Sequence, residues 1–248
     1  LVEELEDALT VASKFCAMND VDLALFQNTV QLERLNLLRD AVEALIAPDP
    51  TRKTFLAHEK LVDALYKAMK PDKRAAQFAN QVSALATIAE EIRSKTDPLN
   101  PDISGVLSGI NTLLDSSIAS EGFVIQDGKT PPIDLSKIDF EALAAKFKKA
   151  PHKQTDVERL KAAIRARLER LVQLNPTRAN YLEKFEELID SYNTGSRNVQ
   201  QLYEELLRMM KDMSVEEERH VRENLSEEEL TIFDLLTNFV VFASSIFH

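Results

Sequence analysis

Leu5, Leu9, Ala12 and Phe15 recur at three- and four-residue intervals between polar positions, and this opening pattern predicts an amphipathic helix. A second run through Leu32, Leu35, Leu38, Val42 and Leu45 keeps the same period until Pro48 and Pro50 stop it. The third, Phe55 to Met69 through Leu61, Leu65 and Ala68, ends near Pro71, and the fourth carries Phe78, Val82, Leu85, Ile88 and Ile92 as far as Asp97-Pro98. Pro101 introduces a shorter helix through Ile103, Leu107, Ile110, Leu114 and Ile118, with Gly122 well placed to end it.

The clearest interruption follows. Residues 122–136 hold Gly122, Gly128, Pro131 and Pro132, with Val124 and Ile125 as an extended pair, and are read as a linker between a helical domain over 1–121 and a second over 137–248. Beyond it, Ile138 to Phe147 is helical, and Thr155 with Glu158 resembles a capping box opening a long helix to Leu174. Pro176 fits the first position of a helix through Tyr181, Phe185, Leu188 and Tyr192 that Gly195 ends. Val199 to Met210 forms the next, and the Ser214/Glu217 and Ser226/Glu229 pairs repeat the capping signature. The apolar stripe Ile232, Leu235, Leu236, Phe239 and Phe242 reads as core in preference to interface. No fixed-period repeat emerges. The predicted fold is all-α, an irregular multi-helix bundle of about ten helices, with two packed helical subdomains left open.

Composition agrees, since only five glycines among 248 residues and a wealth of Leu, Ala, Glu, Lys and Arg favour helix. A formal net charge of -11 argues against a chain that coats DNA unaided, because non-specific affinity comes from cations releasing phosphate counterions. Cys16 is the sole cysteine, so neither an intrachain disulfide nor a zinc-binding cysteine cluster can form, which suits a reducing cytoplasm. The apolar run Phe239 to Phe247 is about half the roughly 20 residues of a spanning helix, so no membrane segment is expected. Leu1 to Asp7 opens inside an amphipathic pattern, as a piece cut from a longer protein would.

Candidate chemistry is sparse. Gly122 to Thr130 resembles a phosphate-binding loop, but five residues separate its glycines where four are needed, and it runs into Pro131-Pro132 instead of opening a helix. Glu217 and His220 form a Glu-x-x-His pair, yet a carboxylate-bridged di-metal bundle needs a second pair and two further Glu, which are missing. A solvated charged face over Glu216 to Arg222 is the simpler reading. No catalytic residue and no metal ligand is assigned.

One charge asymmetry stands out. Residues 146–178 carry ten Lys and Arg against Asp156, Glu158 and Glu169, a net of +7, which leaves -18 for the rest of a chain totalling -11. Lys148, Lys149, Lys153, Arg159, Lys161, Arg165, Arg167, Arg170 and Arg178 are therefore the candidate residues for binding nucleic acid or a partner. Val157, Leu160, Ile164, Leu168 and Leu171 form the apolar face of their helix, with Arg159 and Arg170 opposite and Lys161, Arg165 and Arg167 flanking. Ion pairing with acidic neighbouring helices competes with a phosphate strip, and without interleaved aromatics base stacking is disfavoured.

Several stretches carry a resemblance. Arg52-Lys-Thr-Phe-Leu56, Tyr66 to Asp72, Ile88 to Arg93, Pro101 to Val106, Leu113 to Ile118, Glu121 to Ile125 and Asp134 to Leu143 agree in residue and spacing with the helical region after the motor of type I restriction enzyme R subunits. So do Leu171-Val-Gln-Leu-Asn-Pro-Thr-Arg178, Phe185 to Asn193, Gly195 to Val199 and Leu225 to Leu236, the most specific of the set. The chain thus resembles that C-terminal region over nearly its whole length. It departs after Leu236, where the family continues charged and polar but Thr237 to His248 is apolar, as a truncated or altered reading frame would give.

The resemblance implies a non-catalytic segment of an ATP-dependent translocase and site-specific deoxyribonuclease, which docks that subunit onto the methyltransferase (M) and specificity (S) subunits. It implies double-stranded DNA as a partner of the full complex, ATP and Mg for the parent subunit, and no cofactor for this segment. The apolar tail adds self-association. A free-standing helical adaptor that binds protein alone is the alternative, and a helical metalloenzyme lacks its ligand set.

Overall fold

The computed structural model describes residues 1–29, 31–70, 72–96 and 140–246, and every regular element among them is helical. The helix expected after Pro101, the linker at 122–136 and the loop Gly122 to Thr130 lie outside the described residues. The described chain forms two compact units, one of residues 1–96 with 150–159, the other of residues 140–149 with 160–246.

The first unit holds α1 (Val2–Met18), α2 (Leu25–Asn28), α3 (Gln31–Leu45), α4 (Asp49–Met69), a 3-10 helix (Lys73–Phe78) and α5 (Ala79–Thr96). Helix α4 packs on both α1 and α5, and α3 on α4 and α5. Leu5, Leu9, Ala12 and Cys16 from α1 meet a core that includes Phe55, Val62, Leu85, Ile88 and Ile92, all buried as their periodicity requires. The stripe expected on α4 is shifted, however. Leu61 is exposed, and the buried face runs Phe55, Glu59, Val62, Met69. A carboxylate hides this register from a purely apolar count, and Glu59 is accommodated there by Arg93 of α5, at 2.5 Å. Pro48 and Pro50 do more than stop α3, since they flank the first residue of α4, where a missing amide proton costs nothing.

Helix α7 (Lys153–Leu174) begins in the first unit and continues into the second. The expected Thr155/Glu158 capping box does not form. Glu43 of α3 caps the helix instead, its carboxylate accepting from the backbone amides of Gln154 (2.6 Å) and Thr155 (2.9 Å) and from the Thr155 hydroxyl (2.8 Å). A distant carboxylate satisfies the orphan amides as well as a local one would, and adds charge where the helix dipole favours it. Glu158, nearly inaccessible, turns to Arg52, which also donates to Asp49 and to the Ile46 carbonyl.

The second unit comprises α6 (Phe140–Lys148), α7 from Leu160 onward, a 3-10 turn (Pro176–Arg178), α8 (Ala179–Asn193), α9 (Val199–Glu217), the single turn α10 (Arg219–Arg222) and α11 (Glu227–Ile246). Leu160, Ile164, Leu168 and Leu171 are buried with Phe185, Ile189, Leu202, Leu206 and Met213, and Phe147 stacks on Tyr203 at 3.7 Å between ring centroids. Ser226 and Glu229 form the expected reciprocal cap of α11, but Ser214 and Glu217 do not cap anything, because α9 runs through them. Its own box is Asn198 with Gln201.

Three helices end alike. After α1, α8 and α10 the chain turns through a left-handed residue, Asp20, Gly195 and Asn224, and the next amide reaches back to Cys16, Ser191 and His220 respectively, at 2.9 Å each time. Only Gly195 announces itself in the sequence, since a left-handed glycine carries no side-chain penalty.

Burial pushes the Cys16 thiol up from 9.0 to about 11. The folded thiol therefore stays protonated where the unfolded one ionises, and its contribution to stability, complete below pH 9, falls as pH rises through 11. Denaturant melts at pH 8 and pH 10.5 should show a loss that is smaller in Cys16→Ala, and a thiol reagent at pH 8 should label wild-type Cys16 only as fast as the first unit opens.

Candidate functional site

The most elaborate constellation in the second unit is built on the sequence Asn175-Pro-Thr-Arg178. Asn175 caps the 3-10 turn, its Oδ1 accepting from the Thr177 amide at 3.1 Å and hydroxyl at 2.7 Å, while its Nδ2 donates to Asp234 of α11 at 3.0 Å. Arg219 grips the same carboxylate with two nitrogens, at 2.6 and 3.2 Å, and the Asp234 hydrogen bond raises the guanidinium pKa. Arg178, 2% exposed, donates to Glu216 at 3.1 Å and to Glu227 at 3.2 Å. Burial, then the nearby Glu216 and Asp212 carboxylates, push the Tyr181 phenol upward.

Glu216, Glu217, Arg219 and His220 are thus half-buried in a network, while Glu218, Val221 and Arg222 remain on a solvated face. The Glu-x-x-His pair dissolves within that network: Glu217 takes both its bonds from Arg167, while His220 Nδ1 lies 2.8 Å from the Glu217 carbonyl and 3.3 Å from the Glu227 carboxylate. Among the described residues, no group of three or more His, Cys, Asp or Glu is placed to hold a metal ion. No helix among them is long and apolar enough to cross a membrane.

The positively charged stretch divides by environment. Arg165 pairs with Glu186 at 2.8 Å and lies over the Phe185 ring, Arg167 pairs with Glu217, and Arg178 is enclosed. Lys161 is buried, Lys153 and Arg159 are half-buried, and none of these three stands free. Lys148, Lys149 and Arg170 are exposed, as is Lys146. Helical phase alone could not separate these groups, because their partners come from α8, α9 and α11, far along the chain.

Residues 1–240 match the family described as type I restriction enzyme HindI endonuclease subunit-like, C-terminal. The chain belongs to that family. No curated protein and no solved structure matches it. In this restriction-subunit segment the Asn175–Arg178 stretch, one of those that carry the resemblance, turns out to be where the second unit's polar contacts converge. Asp234, from another such stretch, completes it.

Sequence reasoning took Arg178 for a surface cation and passed over Asn175, Arg219 and Asp234. The available signal was local: an Asp among Ile232, Phe233, Leu235 and Leu236, and an Asn-Pro start followed two residues later by Arg. Asp234→Ala removes the carboxylate that Arg219 and Asn175 share, and should destabilise the second unit by roughly 3–5 kcal/mol. Arg167→Ala, at a partly exposed pair, should cost no more than about 1 kcal/mol. Chemical denaturation of each full-length variant measures both.

Proposed function

We propose that this chain is a non-catalytic docking and coupling segment of a type I restriction endonuclease subunit. It joins the ATP-dependent DNA translocase to the methyltransferase and specificity subunits in the cytoplasm. Family membership over residues 1–240 carries this reading. ATP and Mg belong to the motor of the parent subunit, and no residue of this segment is assigned to them or to strand cleavage.

Duplex DNA is a further partner, contacted by exposed cations. Arg165, Arg167 and Arg178 already meet carboxylates, and moving them onto phosphate would leave those carboxylates uncompensated. Lys148, Lys149 and Arg170 bear no such cost and are the contacts we favour. The same ion pairs support a second reading, a helical adaptor that binds protein alone.

The full chain should bind the assembled methyltransferase and specificity subunits, and should retain labelled duplex DNA at low salt. Replacing Lys148, Lys149 and Arg170 by Ala should leave subunit binding intact and reduce the slope of log affinity against log salt by roughly three. Unchanged DNA affinity in that triple variant sinks the DNA contact, subunit binding without DNA retention selects the adaptor, and absence of subunit binding removes the docking role.

A further inference from the structure

Over residues 227–237, helix α11 makes its charged contacts inward and exposes four large apolar residues. Leu230 and Asp234 are buried, and Glu227 meets Arg178. On the other side Ile232 is 58% exposed, Phe233 50%, Leu235 54% and Leu236 64%. The expected core stripe is therefore a surface at each of its described positions, because Asp234 orients the helix toward Arg219 and Asn175. Ile232, Leu235 and Leu236 stand at i, i+3 and i+4, the spacing by which one helix receives another.

The charge along this helix is one-sided. From Glu223 to Phe247 the sequence has no Lys or Arg and five carboxylates. Glu227 and Asp234 are taken up by Arg178 and Arg219, whereas Glu223, Glu228 and Glu229 are exposed. Glu228 lies one turn before Ile232, and Glu229 one turn before Phe233, so both border the apolar face. The same helix from a second copy would cover the apolar residues but bring only more carboxylates. A helix with flanking cations satisfies both features.

We infer that the outward face of α11 is a docking surface for a cationic amphipathic helix of a partner protein. Its apolar stripe covers Ile232, Phe233, Leu235 and Leu236, and its Lys or Arg meet Glu228 and Glu229. Which subunit supplies that helix rests on the docking reading above; the surface itself does not.

The test uses the full chain and two fluorescent synthetic helical peptides that share one leucine stripe, flanked by lysines in the first and by glutamates in the second. The lysine peptide should bind at least about tenfold tighter, more so at low salt. Leu235→Ser with Leu236→Ser should weaken it by about tenfold or more, and Glu228→Gln with Glu229→Gln should bring the two peptides within about threefold. These positions are exposed, and Gln at 229 still accepts from the Ser226 amide in the cap of α11, so all variants should melt as wild type does. Equal binding of the two peptides overturns the inference, as does lysine-peptide binding that survives the leucine changes. Concentration-dependent dimerisation lost with those leucines, without peptide binding, assigns the face to a second copy and overturns it as well. Peptide binding as expected, with no binding to the methyltransferase and specificity subunits, upholds the surface while removing the docking role.

Discussion

Asp234 is where the second unit is most constrained. A carboxylate held beneath a helix loses its hydration, and it is tolerable there only if cations and amide protons replace the water. Arg219 and Asn175 do so directly, and Glu216 and Glu227 hold Arg178 beside them. The participants come from four places along the chain, namely the turn after α7, the end of α9, the single turn α10 and the first half of α11. The 3-10 turn and α10 bury no apolar side chain of their own, so the shared charges define their orientation. The outward rotation of Ile232, Leu235 and Leu236 follows directly.

The first unit uses the same device at another place. Glu43 replaces a local cap at the start of α7, and Arg52 gathers Asp49, Glu158 and the Ile46 carbonyl around one guanidinium. In both units a polar side chain from a remote helix fixes a helix end, which is where backbone groups are left without partners. Hydrophobic burial accounts for the bulk of association, through Phe55, Leu85 and Ile92 in the first unit and Leu160, Phe185 and Leu202 in the second. The charges decide register and angle.

This division of labour explains what could be read from the chain beforehand. Helical class, most element boundaries and the buried faces of α1, α5 and α7 follow from period and punctuation, because those faces are continuous and apolar. The face of α4 escaped because Glu59 occupies a core position, and that of α11 because Asp234 turns the apolar side outward. The Glu43 cap and the partners of Arg165, Arg167 and Arg178 were invisible for a different reason. They join residues tens of positions apart, and no local spacing encodes which carboxylate a given arginine will meet. Asn198/Gln201 and Ser226/Glu229, which are local, obey the three-residue rule, while Thr155/Glu158 and Ser214/Glu217 satisfy it in sequence only.

The three left-handed helix ends bear on how relatives of this segment can vary. Asp20, Gly195 and Asn224 perform one geometric task with different side chains, since each needs a positive φ and none needs a particular functional group. Such positions can accept Gly, Asn or Asp but disfavour Val, Ile and Thr, whose branched Cβ collides with the backbone in that conformation. Variation at these positions among relatives would therefore report the turn, and not partner choice.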